Sequence, residues 1–165
     1  VLIEIFSNRM EITNPGIPLV EVTRIVDNPP RSRNEKIAAL MRRCHICEES
    51  GTGWDKIIIS SELVHLPAPT ITVYEDNMRV TLRAAVPFGD LPQTDKLWAC
   101  YMHACIRYVE GKQMNNTSLR ERFGLDDSYQ SQISRLLKAA VNAKYIKAHD
   151  ELTAPRYMRY IPIWG

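Results

Sequence analysis

The sequence predicts an α+β fold in two modules, and three observations carry that expectation. Short segments toward the N-terminus alternate apolar and polar residues around turn residues, as β-hairpins do. Later segments repeat their apolar residues at helical spacing. Between them lies Val86-Pro87-Phe88-Gly89-Asp90-Leu91-Pro92, whose prolines and glycine mark a linker at 86–92. A chain of 165 residues, 45% apolar and 24% charged, has the length and composition of one large globular domain or two small ones.

The first hairpin is predicted from Leu2-Ile3-Glu4-Ile5-Phe6 and Met10-Glu11-Ile12-Thr13, with Asn8 as a left-handed turn residue and Asn14-Pro15-Gly16 closing the second strand. Pro15, Pro18, Pro29 and Pro30 make the following stretch a loop. Asn34 is placed to cap a helix over 35–43 whose Ile37, Leu40, Met41 and Cys44 share one face. Gly51-Thr52-Gly53 precedes a helix over 54–65 that Pro67 and Pro69 end. Thr70 to Tyr74 and Arg79 to Arg83 form a second hairpin around Glu75-Asp76-Asn77.

After the linker, Leu97, Cys100, Tyr101, Ala104 and Tyr108 form a helical stripe within 94–110. Ser118 and Glu121 have capping-box spacing at a short helix that points Leu119 and Phe123 inward. Asp126 or Asp127 can cap a third helix over 128–143, with Ile133, Leu136, Leu137, Ala140 and Val141 as its buried face. That helix ends at Asn142-Ala143-Lys144 without the usual glycine. Wing strands are expected at 144–149 and 157–161. Helix, turn, helix and hairpin in this order suit a winged helix-turn-helix.

Charge separates the halves. Residues 1–90 carry 10 basic and 12 acidic side chains, and residues 91–165 carry 11 and 7. The basic half is compatible with a phosphate-facing surface. In a helix-turn-helix the second helix enters the major groove. Removing the inward residues of 128–143 leaves Ser128, Tyr129, Gln130, Ser131, Gln132, Ser134, Arg135 and Lys138. Gln pairs with adenine and Arg with guanine through two hydrogen bonds, while hydroxyls and Lys suit phosphate. This side carries no acid after Asp127. Arg120, Arg122, Lys147, Arg156 and Arg159 are candidates for added backbone contacts. The expected partner is double-stranded DNA, and a homodimer would span half-sites about one helical turn apart. A winged helix that binds only protein shows a similar polar face, so that alternative stands beside the first.

Other chemistry is sparse. No apolar run approaches the length that crosses a bilayer, and no secretory leader is visible, so a cytoplasmic protein is expected. Beginning in mid-strand pattern without Met, the chain reads as a C-terminal piece of a longer protein. Cys44-His45-Ile46-Cys47 has CxxC spacing, with Cys100, His103 and Cys105 as further zinc ligands to weigh. These positions lie among apolar residues, so reduced thiols and no metal are expected. His45, His65, His103 and His149 have no evident nucleophile beside them. Without a GxxxxGK[ST] stretch there is no P-loop, and no enzyme activity is expected.

Several motifs together resemble a bacterial family: Ile3-Glu4-Ile5-Phe6-Ser7-Asn8-Arg9-Met10-Glu11-Ile12-Thr13-Asn14-Pro15-Gly16, Ser32-Arg33-Asn34-Glu35-Lys36-Ile37, Glu48-Glu49-Ser50-Gly51-Thr52-Gly53-Trp54-Asp55-Lys56-Ile57, Leu119-Arg120-Glu121-Arg122-Phe123-Gly124 and Arg159-Tyr160-Ile161-Pro162-Ile163-Trp164. They are similar to the C-terminal part of transcriptional regulators labelled "ATP-dependent DNA helicase RecG-related", which usually begin with a Schlafen AlbA-like domain. The resemblance implies a partial, degenerate GHKL ATPase-like module at 1–85 and a winged helix at 93–165. It also implies an alternative function, nucleotide binding in the full-length protein. Asn14 and Gly16 would stand at the adenine-contacting turn and Gly51 and Gly53 at the glycine box, where N–H groups can meet phosphate. Asn14 replaces the family's usual Asp, and the magnesium-binding helix would lie upstream of Val1. No cofactor and no ATP hydrolysis are expected of this fragment alone.

Overall fold

The computed structural model describes residues 1–29, 31–46, 51–150, 154 and 157–165. Strands β1 (Leu2–Ile5) and β2 (Arg9–Pro15) form the first hairpin. Asn8 turns it without a left-handed conformation, because the hairpin closes through the Phe6 N–H on the Arg9 carbonyl at 2.8 Å. The chain then leaves for helices α1 (Glu35–Arg43) and α2 (Gly53–Leu63) and returns as β3 (Thr70–Val73) and β4 (Asn77–Arg83). All pairings are antiparallel and the order is β1-β2-β4-β3, with Arg9 opposite Arg83 and Pro15 opposite Asn77.

Asn34 caps α1 as its sequence implies, accepting from the Ile37 N–H at 3.1 Å. The apolar side of α1 is uncovered: Ile37 and Leu40 are 55% and 61% exposed.

The second half begins with α3 (Gln93–Val109), whose residues from Ala99 to Ile106 are all buried. Helices α4 (Asn116–Arg122) and α5 (Gln130–Asn142) pack on each other, and α5 packs on α3. Strands β5 (Ile146–Ala148) and β6 (Tyr160–Pro162) pair antiparallel, and Met114 makes one bridge to the other side of β6 through Tyr160.

Three local details differ from the sequence reading. The capping box is Asn115 with Ser118: Asn115 Oδ1 accepts from the Ser118 N–H at 2.8 Å, and Ser118 Oγ accepts from the Asn115 N–H at 3.1 Å. The helix therefore starts a turn earlier than a Ser118–Glu121 box requires. The helix expected over 128–143 divides into a 3-10 turn, Asp127–Tyr129, capped by Asp126, and α5 proper. Val141 is exposed, because it lies at the edge of the stripe set by Ile133, Leu136, Leu137 and Ala140. The missing glycine is replaced by Lys144 at φ 57°, with the Tyr145 N–H on the Ala140 carbonyl and the Lys144 N–H on that of Val141, both 3.0 Å.

Apolar side chains gather in two clusters. One joins α3, α4 and α5 with Met114 and Ile146; Leu91 and Phe88 of the 86–92 stretch also pack on it. The other joins Ile25, Val26 and Ile58 to Tyr101, Met102, Cys105 and Ile106 of α3. The second cluster fastens the first half of the chain to the second.

Candidate nucleic-acid interface and an adjoining cavity

α5 keeps its polar side free because its apolar stripe is used up by α3 and α4. Gln130, Ser131, Gln132, Ser134, Arg135 and Lys138 are all exposed. Among the described residues, Arg135 makes only a long 3.4 Å contact back to the Ser131 carbonyl. Ser128 is exposed but its hydroxyl donates to Asp126 at 2.5 Å. The two hydrogen bonds from Ser128 hold the Asp126 carboxyl below the usual range. Tyr129 is half-buried, with its ring edge-on to Phe88 at 6.0 Å between centroids.

A polar groove of about 360 Å³ separates α4 from α5 and β6. Asn116 holds its floor, donating through Nδ2 to the Gln130 carbonyl and to Ser134 Oγ, both at 3.0 Å. Arg120 Nε donates to Asn116 Oδ1 at 3.0 Å, and its Nη1 is paired with Asp127. Arg159 reaches the same groove and donates to Gln113 Oε1 at 3.1 Å. On the other side of α5, Gln132 and Arg135 line a 420 Å³ hollow with Gln93 and Lys96. Lys147 is half-buried on β5 opposite Ile161, and Arg156 lies outside the described residues.

Arg122 is not at this surface. It is 3% exposed, and its Nη2 donates to the Leu66 carbonyl at 2.8 Å, because its position on α4 faces α3 and the end of α2. A phosphate cannot reach it. Sequence reading missed Asn116 and Thr117 as groove residues; the polar run Asn115-Asn116-Thr117-Ser118 was the available signal, and it reads equally as a helix cap.

In the first half, Asn14, Gly16 and Gly51 come together around a 330 Å³ cavity, whose apolar wall includes Val20, Ile25, Trp54 and Met78. Arg31 and Arg33 stand at its rim. Gly16 has φ +90°, and a Cβ there would meet the Arg33 guanidinium at 3.1 Å. Gly53 opens α2 with free space where a side chain would point, but it does not line the cavity.

Cys100 and Cys105 do not converge on a metal site. They sit fully buried in different clusters, and burial pushes the Cys105 thiol up to about 12 and Cys100 also upward. Cys44 is exposed, Cys47 lies outside the described residues, and no metal-ligating group of three occurs among the described ones. No helix among the described residues is long and apolar enough to cross a membrane.

Residues 1–82 match a family model described as "Putative ATP-dependent DNA helicase recG C-terminal". No curated protein matches the chain. Among solved structures, the chain is similar to the DIP2311 protein from Corynebacterium diphtheriae, at 11% identity and a TM-score of 0.41, over 93% of this chain and 44% of that one. The chain thus spans less than half of that protein's length.

Proposed function

Residues 1–82 belong to the "Putative ATP-dependent DNA helicase recG C-terminal" family, and from that premise we propose that residues 93–165 form a winged helix-turn-helix that binds double-stranded DNA in a transcriptional regulator. The observation that carries this reading is the exposed side of α5, where Gln130, Gln132, Ser134, Arg135 and Lys138 follow one another with no acid after Asp127. The element order supports it: α3, Met114, α4, α5, β5 and β6, with Met114 and β5 flanking β6. α5 lies in the major groove, and the polar groove at Asn116 and Arg159 takes a phosphate. The 1–85 module, joined through 86–92, positions this reader and supports a homodimer. The protein is cytoplasmic and acts by binding, with no catalytic step of its own.

Selection of bound duplexes from a random pool tests the reading. Arg135→Ala then loses about 1–3 kcal/mol on the preferred site and little on others, as a base contact does. Lys138→Ala weakens all sequences alike and lowers the salt slope by about 1, as a phosphate contact does. A chain that ignores duplex at low salt while capturing a protein partner overturns the DNA reading in favour of an interaction module.

A second reading rests on the cavity, which unites Asn14, Gly16 and Gly51 from distant parts of the sequence. Its residues fit an adenine nucleotide: Trp54, Val20 and Ile25 suit a flat ring, Asn14 and Asn28 offer polar edges, and Arg31 and Arg33 suit phosphate. Added ATP then raises the melting temperature, and Asn14→Ala diminishes the rise. No shift at millimolar ATP overturns nucleotide binding by this chain.

A further inference from the structure

The cavity and the DNA-facing helices share one rigid element. α2 begins at the cavity wall with Trp54 and ends against α3 and α4. At that far end, Glu62 Oε2 lies 2.8 Å from His103 Nδ1, and His103 Nε2 lies 3.3 Å from Ser118 Oγ in the α4 cap. Just past α2, His65 Nδ1 lies 3.2 Å from the Arg122 carbonyl, and the Leu66 carbonyl accepts from the Arg122 side chain. The end of α2 thus meets the C-terminal end of α4 directly and its N-terminal cap through His103 of α3.

This junction is incompletely bonded. Arg122 Nε and Glu62 Oε1 are 3.8 Å apart, beyond hydrogen-bond reach, although the Arg122 side chain is only 1% exposed. Both atoms, and Arg122 Nη1, are buried without a hydrogen-bond partner. Desolvation lowers the Arg122 pKa, and the nearby Glu62 charge opposes that shift. A buried pair in this state is costly, and a shift of roughly 1 Å would turn it into a charge-assisted hydrogen bond. Two arrangements of the junction thus lie within reach of each other.

The stretch of cavity lining from Val20 to Ile25 has its own tie to the second half. Between Val20 and Ile25, the Thr23 carbonyl accepts from the Tyr101 hydroxyl at 2.5 Å. Tyr101 in turn accepts from Trp164 Nε1 at 3.0 Å, and the Arg24 guanidinium lies 4.4 Å from the Trp164 ring centroid. A ligand that displaces the start of α2 from this stretch moves one anchor relative to the other.

We propose that a nucleotide held in the cavity regulates DNA binding by moving α2 against α4, with Glu62 and Arg122 as the contact that is made or lost. This regulation rests on both readings above. Coupling of this kind is reciprocal, so bound duplex changes nucleotide affinity by the same factor.

Hydrogen exchange and duplex titration on the whole chain, with ATP as the probe, test it. ATP protects 14–29 and 51–54, changes protection over 115–125, and shifts the duplex Kd by about fivefold or more. Glu62→Gln keeps the local protection and loses both distant effects. Tyr101→Phe, which removes one hydroxyl from the second tie, weakens them and serves should Glu62→Gln fail to fold. Local protection with an unchanged Kd and unchanged α4 overturns the coupling and leaves nucleotide binding standing. No protection at the cavity overturns the nucleotide reading and the coupling together. A wild-type chain that binds no duplex overturns the DNA reading, and this regulation with it.

Discussion

From Ala99 to Ile106, every residue of α3 is buried, whereas β1 and α1 expose Leu2, Ile3, Ile5, Ile37 and Leu40. The two helices read alike in sequence, since both carry an apolar stripe at helical spacing. Their difference lies in what surrounds them. α3 is packed by α2, α4, α5 and β6, while α1 has no comparable neighbour among the described residues. Three buried residues of the first half, Ile25, Val26 and Ile58, share their cluster with Tyr101, Met102, Cys105 and Ile106 of α3. Periodicity thus identifies which face is apolar, and only tertiary packing decides whether that face is covered.

The sharpest way to break this comparison is a matched pair of truncations. Leu119 is 0% exposed in the main cluster, and Leu119→Ala should cost about 2–5 kcal/mol, read from urea denaturation. Leu40→Ala, at a position 61% exposed, should stay within about 0.5 kcal/mol. Equal losses would mean that the α1 stripe is covered in solution, and the contrast between the halves would fall.

A smaller effect sharpens the comparison within the better-packed half. The second half is well packed but not free of local strain. Lys144 holds φ 57° at the end of α5, where the end of α4 uses Gly124 at φ 64°. A left-handed conformation costs an ordinary residue about 1 kcal/mol or more relative to glycine. Lys144→Gly should recover about 0.5–1 kcal/mol, less the entropy that a new glycine adds to the unfolded chain. A lower melting temperature would show that the Lys144 side-chain contacts and the entropy a glycine adds to the unfolded chain together outweigh the backbone strain.

Legibility in the sequence followed the range of the interactions. The hairpins, the Asn34 cap, all five helices and the apolar stripe of α5 depend on neighbours a few residues apart, and they could be read directly. Asn14, Gly16, Gly51 and Gly53 were singled out only through resemblance to a family, because no local rule joins positions so far apart, and Gly53 does not line the cavity. Arg122 was misplaced for the opposite reason: an arginine on a short helix is usually solvated, and only the packing of α2 against α4 shows that it is buried. The Asn115 box was obscured by Ser118 and Glu121, which have the same spacing one turn later.

The smallest expected effect concerns the first half, at the start of α2. Asp55 Oδ1 is buried without a hydrogen-bond partner, and burial raises the carboxyl's pKa above 3.8. The folded chain therefore holds this proton more tightly than the unfolded chain does. Stability from this group is present at low pH and is lost as pH rises through the carboxylate range and past the raised value. Asp55→Asn removes that loss, so the variant should melt higher than the wild type near neutral pH. The gap should close as pH is lowered below the usual range of an aspartate, where both side chains are neutral. A gap that instead widened on acidification would mean that the Asp55 carboxylate is stabilised by a partner, and that the sparse packing of the first half does not extend to this end of α2.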